Sequence, residues 1–540
     1  MSTTESAATT TPDRPQPVGA DADSGQGDRP HATGQWGPTG GRSALVNRVS
    51  PPMPSDRVAG WVWPLAVAVL AGVLRFWRLG VPDTHVFDEV YYANEAWQLL
   101  HYGVEYNVKD ATPNYVVHPP LGKWTIALGQ WLFGDDSFGW RFSAALVGTL
   151  SVLLVARVAR RMTRSTLLGC VAGLLLAFDG LHFVSSRTAL LDVFLMAAVL
   201  AAFACLVVDR DASRARLAEL VERRGLVGPG GRVSGTGPGL GLRPWRLAAG
   251  VMLGVAVATK WSGVYAIAAF GLMTVFWDMG ARRAVGITRA RTAALLRDAG
   301  PAFASLVVLP VFVYVASWTG WFLSGDKGWD RHWAEGSATS YGFVPDAIRS
   351  LWHYHAGMYD FHTTLDSPHP YQSSPWGWLV LARPVSFFFE SPKRGEEGCH
   401  AETCAREVLG LGTPAIWWAA VGALLVMLWL WLGRRDWRGG AVLAGVAAGY
   451  LPWFLFTDRT VFSFYTIVLA PYLAIALALT LGVALGGRDA SPIRRRWVAT
   501  VAGMYLLLVI VNFHHLYPVL SAELIPYDAW LDRMWFRSWI

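Results

Sequence analysis

Two adjoining stretches, GWVWPLAVAVLAGVLRFWRL at residues 60–79 and THVFDEVYYANEAWQLL at residues 84–100, decide the character of the chain. The first is a nearly unbroken apolar run of about 20 residues, the length a helix needs to cross a bilayer. The second sets Asp88 and Glu89 side by side just beyond that run. Val86, Val90, Ala93, Trp97 and Leu100 recur at helical spacing and predict one apolar stripe. That is the pattern of an amphipathic helix lying on a membrane surface. Adjacent helical residues point about 100° apart, so the two acids cannot serve one point alike. Taken alone, they are acids in a first helical turn, where the helix dipole favours negative charge.

Similar apolar runs recur along the chain. Of its 540 residues 53% are hydrophobic and 16% charged, against about 25% charged in an ordinary soluble domain. Apolar segments fall at 60–79, 138–158, 166–184, 188–208, 246–261, 262–279, 299–321, 414–433, 439–456, 463–486 and 496–514. They predict an all-α polytopic membrane protein with about eleven transmembrane helices. The net charge of +7 could suggest nucleic acid, but the basic residues gather in the short loops 156–165, 209–246, 281–297, 433–438 and 486–496. With the N-terminus inside, all of these loops face the cytoplasm, which is the positive-inside signature of membrane topology. No nucleic-acid partner is expected.

Residues 1–56, rich in Ser, Thr, Pro, Gly and Asp, read as a disordered cytoplasmic tail. The first span then acts as an uncleaved anchor. Residues 57–520 form the membrane domain and 521–540 an extracytoplasmic C-terminal tail. The long outward loops, 80–137 and 322–413, are rich in Trp, Tyr, His and Pro, residues suited to a membrane interface and to gripping a substrate. The Gly-rich stretch 225–244 lacks the Gly-Lys-Ser/Thr ending of a phosphate loop and reads as a flexible linker. Cys170 and Cys205 lie in apolar runs. Cys399 and Cys404 lie in an outward polar loop, where a disulfide is expected and a zinc site is the alternative.

Chemistry-bearing residues collect at the outward ends of the spans. His118-Pro119-Pro120 makes a rigid bend before Lys123, which could instead snorkel to the headgroups. Arg141 stands at the outer end of the second span, where an unpaired cation is costly. Arg187 and Asp192 flank the fourth, Lys260 occupies the turn between the fifth and sixth, and Asp458-Arg459 precedes the tenth. Carboxylates and several cations in one layer suit a phosphate-bearing lipid whose head is held while a nucleophile attacks it.

The motifs FDE (87–89), HPPLGK (118–123), WRFSA (140–144), RTALLDVFLM (187–196), TKWSG (259–263) and FHTTLDSPHPYQSSPWGW (361–378) resemble those of the protein O-mannosyltransferases. These are membrane glycosyltransferases of the GT-C fold. The resemblance spans roughly residues 60–520, and the composition is similar to the actinobacterial branch. It implies a GT-C membrane domain with amphipathic helices in its extracytoplasmic loops. It further implies transfer of mannose, with inversion, from polyprenyl phosphate mannose to Ser or Thr hydroxyls of secreted or membrane proteins, at the outer face of the plasma membrane. Asp88 would be the base and Glu89 a partner that orients the acceptor or the sugar. Arg141 would hold the donor phosphate, with Lys260, Arg187, Arg459, His118 and Lys123 as further members. His362, His369 and Trp376 would serve the acceptor or pack the loop. The several His of 353–374 could suggest a metal, but the resemblance implies none, and no cofactor beyond the lipid-linked donor. Membrane lipids would be the other partners.

Three other readings share some of these features. A GT-C enzyme glycosylating a lipid or glycan would carry a similar donor site. A transporter would place charges at mid-membrane in repeated halves, which this chain lacks. An inactive interaction subunit would not need Asp88 and Arg141.

Overall fold

The computed structural model describes residues 43–336, 342–456, 458–487 and 489–540. In chain order its main helices are α1 (Ala44–Val49), α2 (Ala59–Phe76), α3 (Glu89–Tyr102), α4 (Leu121–Phe133), α5 (Ser137–Thr163), α6 (Thr166–Ala177), α7 (Gly180–Ser185), α8 (Asp192–Arg223), α9 (Pro244–Thr259) and α10 (Val264–Ala284). There follow α11 (Ala290–Ser317), α12 (Asp346–Thr364), α13 (Pro414–Leu432), α14 (Trp437–Tyr450), α15 (Ser463–Leu485) and α16 (Pro492–Leu520). Each of the eleven apolar segments is helical over most of its length. Among the described residues, eight helices are long and apolar enough to cross a membrane. The segments of α6, α9 and α14 are shorter, with 12, 16 and 14 residues.

Local chemistry sets the helix starts. Asp136 accepts from Gly139 N to cap α5, Ser165 caps α6, Asp179 caps α7 and Asp436 caps α14. Close approach of α4 and α5 requires glycine: a Cβ at Gly129 would sit 2.3 Å from the carbonyl oxygen of Gly139. That contact brings Arg141, two residues on, against the loop that precedes α3.

Four expectations change. The disordered tail was expected through residue 56; residues 1–42 lie outside the described residues, but 43–56 are packed. Val46 and Val49 of α1 are buried against Leu217 and Val221 of α8, and Asp56 pairs with Arg160 at 2.5 Å. The Gly-rich 225–244 loop is tethered rather than free, because Arg282 donates to the carbonyls of Thr236 and Pro238 while pairing with Asp298. The loop 322–413 holds two strands, β1 (Val385–Glu390) and β2 (Cys404–Gly410), antiparallel with Val385 opposite Gly410 and Glu390 opposite Arg406. Residues 521–540 are no tail: β3 (Ile525–Pro526) extends the sheet beyond β2, and Trp530 and Trp539 are buried. Cys399, in the connection between β1 and β2, is disulfide-bonded to Cys404 at the start of β2.

Candidate functional site

The first turn of α3 is built around Glu89, not Asp88. Glu89 is fully buried. One carboxylate oxygen accepts from Arg141 Nε at 2.9 Å and Ala189 N at 2.7 Å. The other accepts from Arg141 Nη2 at 2.8 Å and Val86 N at 2.9 Å. The bond back to Val86, three residues earlier, ties the incoming loop to the first turn and fixes how the chain enters the helix. This rotates the expected stripe. The buried face of α3 is Glu89, Tyr92, Ala93, Ala96 and Leu99, whereas Val90 is 46% exposed. Phe87, just before Asp88, has a left-handed φ of 50°, a strained setting worth about 1–3 kcal/mol for a non-glycine residue. An aromatic box holds it there: Phe387 of β1 at 5.0 Å, Phe464 at 5.6 Å, Phe462 at 6.1 Å and His369 at 6.4 Å between ring centroids. The unforeseen sheet thus braces the residue that aims Asp88.

Asp88 precedes α3 without using its side chain as a cap. Half-buried, it forms no ion pair among the described residues, and Tyr92 stands beside it. Burial pushes its carboxyl up to about 6; Lys260 opposes that rise and Asp192 adds to it. Lys260 Nζ lies 3.0 Å from both oxygens of Asp192, at the start of α8, and 4.6 Å from the centroid of the Tyr465 ring. His118 lies 5.9 Å from Tyr92 and 5.2 Å from His362 between ring centroids. Burial, with Lys260 and His362 beside it, holds the His118 imidazole well below its usual range. His362, on α12, meets Val117 O at 2.7 Å through Nε2, so that nitrogen carries the proton and Nδ1 faces Arg459 Nη2 at 3.4 Å. Burial holds its pKa at about 4. Arg459 makes no ion pair among the described residues, and its Nε is buried without a hydrogen-bond partner.

Several expected phosphate contacts are corrected. Arg141 carries five N–H groups, and its nitrogens are taken by Glu89 and by the carbonyls of Leu79, Pro82 and Thr84. It anchors the loop after α2. Arg187 donates to the carbonyls of Leu74, Arg75, Trp77 and Arg78, capping the C-terminal end of α2. Lys123 is buried between Glu105 and Glu95, the latter at 3.2 Å, so it neither snorkels nor faces the chamber. Glu89 has no lone pair left for a substrate. His369 borders the Phe87 box, while Trp376 is 79% exposed and meets Phe454 edge to face at 4.8 Å between centroids. Tyr92 and Tyr465 escaped the sequence reading because a tyrosine on an apolar helix face looks like packing. Among the described residues no group of three His, Cys, Asp or Glu side chains is placed to hold a metal ion.

The polar cluster of Asp88, Tyr92, Asp192 and Lys260 is the chamber of this site, and between Asp192 and Tyr465 a narrow crevice of about 20 Å³ runs among α8, α10, α14 and α15, lined by Leu195, Val199, Ala266, Ala448 and Val468. A carboxylate with no ion-pair partner among the described residues, cations close to it and an apolar crevice are features that suit a lipid-linked sugar donor. The fold and site therefore define a membrane transferase of the GT-C type.

Comparison with known proteins sharpens that class. Residues 65–220 match the family described as dolichyl-phosphate-mannose-protein mannosyltransferase, and residues 347–539 match the C-terminal four-transmembrane region of protein O-mannosyltransferase. A polyprenol-phosphate-mannose–protein mannosyltransferase of Mycolicibacterium smegmatis (strain MKD8) is 44% identical over 522 residues, covering 93% of this chain and 98% of the relative. One from Corynebacterium glutamicum is 37% identical, covering 91% and 96%. The fold is similar to that of the Saccharomyces cerevisiae protein O-mannosyltransferase Pmt1–Pmt2 complex bound to the sugar donor, with a TM-score of 0.69 at 15% identity, covering 92% of this chain and 94% of that one. The chain belongs to the protein O-mannosyltransferase family.

Proposed function

We propose that the chain transfers mannose, with inversion, from polyprenyl phosphate mannose to Ser or Thr hydroxyls of proteins at the outer face of the plasma membrane. The observation that carries this reading is Asp88, a half-buried carboxylate with no ion-pair partner among the described residues, set beside Lys260, Asp192 and Tyr92. As a carboxylate it takes the acceptor proton while the oxygen attacks the anomeric carbon. The departing polyprenyl phosphate already bears charge, so no carboxylic acid need protonate it, unlike the leaving group in glycoside hydrolysis. It needs cations, and the candidates are Lys260, which stands beside Asp88, and Arg459, whose Nε has no hydrogen-bond partner among the described residues. Neutral His118 offers a hydrogen bond there. Proton removal and oriented charge each contribute on the order of 10²-fold or more. No metal is required, and the basic loops at the opposite ends of the helices support an inside N-terminus.

The test is an in vitro assay with purified protein, mannose, glucose and arabinose forms of the prenyl phosphate donor, and a Ser/Thr-rich peptide beside its all-Ala version. Label from the mannose donor on the hydroxyl-bearing peptide alone is expected. Transfer to added lipid or glycan, with none to peptide, would overturn the reading.

A further inference from the structure

A second site lies at the other end of the bundle. The helices α8 and α15 bring one end to the chamber, through Asp192 and Tyr465, α5 begins on the same side beside the Glu89–Arg141 pair, and all three run away from it. At the far ends of α5 and α15 a crevice of about 1120 Å³ opens between the α5–α6, α13–α14 and α15–α16 connections, larger than the roughly 300–1,000 Å³ of small-molecule pockets. At about 1.5 Å per residue, the 23 residues of α15 separate the two sites by roughly the thickness of a bilayer.

The crevice is amphiphilic. Arg434, Arg438, Arg494 and Arg495 line its rim, and Asp436 is the one carboxylate among its lining residues. Asp436 is occupied by Arg438, whose Nε lies 3.0 Å from both carboxylate oxygens, which leaves Arg434, Arg494 and Arg495 with no ion-pair partner among the described residues. These three are held in place by groups that do not neutralise them. Arg494 donates to the carbonyls of Ala484 and Val483, Arg495 to that of Gly487, and Arg434 lies 5.0 Å over the Trp429 ring. Arg494 and Arg495 keep further N–H groups for a ligand. Helix dipoles add little, since three helices begin and three end around the crevice and their terminal charges offset one another. Below the rim the walls turn apolar, with Leu167, Leu168, Leu479 and Val483 facing inward.

We propose that this crevice binds one anionic phospholipid, its phosphate held by Arg434, Arg494 and Arg495 and its acyl chains lying against Leu167, Leu168, Leu479 and Val483. A basic pocket between helices on the arginine-rich face of a membrane protein is the setting that recognises acidic lipid heads. A soluble phosphate would satisfy the rim and leave the apolar walls uncovered, so the occupant is a lipid. The site is remote from Asp88 and does not depend on the mannosyltransferase reading.

The probe is cardiolipin, titrated onto the delipidated, detergent-solubilised full chain and read by native mass spectrometry, with phosphatidylcholine as control. Cardiolipin adducts should form and persist where phosphatidylcholine adducts strip away. In the triple variant Arg434→Gln, Arg494→Gln, Arg495→Gln the apparent affinity should fall roughly a hundredfold, with thermal stability in detergent alone unchanged. Leu168→Arg, which places a charge where a chain would lie, should weaken binding with the arginines intact. Equal adducts for both lipids, an unchanged triple variant, or complete displacement of cardiolipin by millimolar inorganic phosphate would each overturn the proposal.

Discussion

Arg141 and Glu89 offer a sharp test, because a phosphate-binding arginine and a scaffold arginine fail differently. The pair is buried with an N–O separation of 2.8 Å and side-chain exposures of 1% and 0%. Two unit charges about 4 Å apart interact by about 4 kcal/mol at an effective dielectric constant near 20, and removing one partner of such a pair costs about 3–5 kcal/mol. Arg141→Met strands Glu89 with only its two backbone donors, and Glu89→Gln strands the guanidinium among carbonyls. Each should lower the thermal midpoint, followed by tryptophan fluorescence in detergent, by on the order of 5 °C. The double variant should lose less than the sum, with a coupling of about 2 kcal/mol or more. In the same preparations kcat should fall, since the turn that aims Asp88 loosens, while the donor KM moves by less than about threefold. An Arg141→Met protein of unchanged midpoint whose donor KM rises by about tenfold or more would refute the scaffold role and return Arg141 to the phosphate.

Further outcomes follow from the same chamber and its bracing sheet. Arg459→Gln removes a charge-assisted hydrogen bond worth about 1.5–3 kcal/mol, so donor KM should rise roughly ten- to a hundredfold with the thermal midpoint unchanged; an unaltered KM excludes Arg459 from the donor site. Only the carboxylate of Asp88 can accept a proton, and its pKa is raised to about 6, so kcat/KM should fall about tenfold per pH unit below that value. His362, at about 4, stays neutral over that range, and a profile flat down to about pH 5 would contradict the assignment. Glu407 on β2 is buried, accepts from Trp530 Nε1 at 2.6 Å, and burial raises its carboxyl to about 7. The folded protein therefore holds this proton more tightly than the unfolded chain does. That stability is complete below about pH 4 and is lost as pH rises through about 7, by roughly 3 kcal/mol in all. Glu407→Gln should flatten the decline in thermal midpoint between about pH 5 and 8, and an equally steep decline in the variant would exclude Glu407 as its source.

The membrane helices were legible because bilayer spanning is a local demand on composition, which any window of about 20 residues displays. What stayed hidden depends on distant partners. VSFFFE at 385–390 is a short strand whose pairing with 404–410 cannot be read from either segment alone. Residues 43–49, SALVNRV, are too short a run to hold a helix until α8 supplies Leu217 and Val221. At the site, chain topology placed Arg141, Arg187, Lys123, Lys260 and Arg459 in one layer, and depth alone could not rank them. Their roles separate by what surrounds each head. Carbonyls from the turn at 79–84 and the end of α2 occupy Arg141 and Arg187, and Glu95 and Glu105 occupy Lys123. Glu89 was grouped with Asp88 as a polar neighbour, whereas the 100° step between them turns one into the core and leaves the other in the chamber.

Asp88→Asn keeps the shape and the Tyr92 contact of the side chain while removing its basicity, so it isolates the base from the scaffold. Mannose transfer from polyprenyl phosphate mannose to a Ser/Thr peptide, measured at saturating donor in wild type and variant, is the most direct measurement. The expected result is a loss of roughly 10²–10⁴-fold in kcat with donor binding and thermal midpoint preserved. Transfer within about tenfold of wild type would mean that another group takes the proton, and the role given to Asp88 would be wrong.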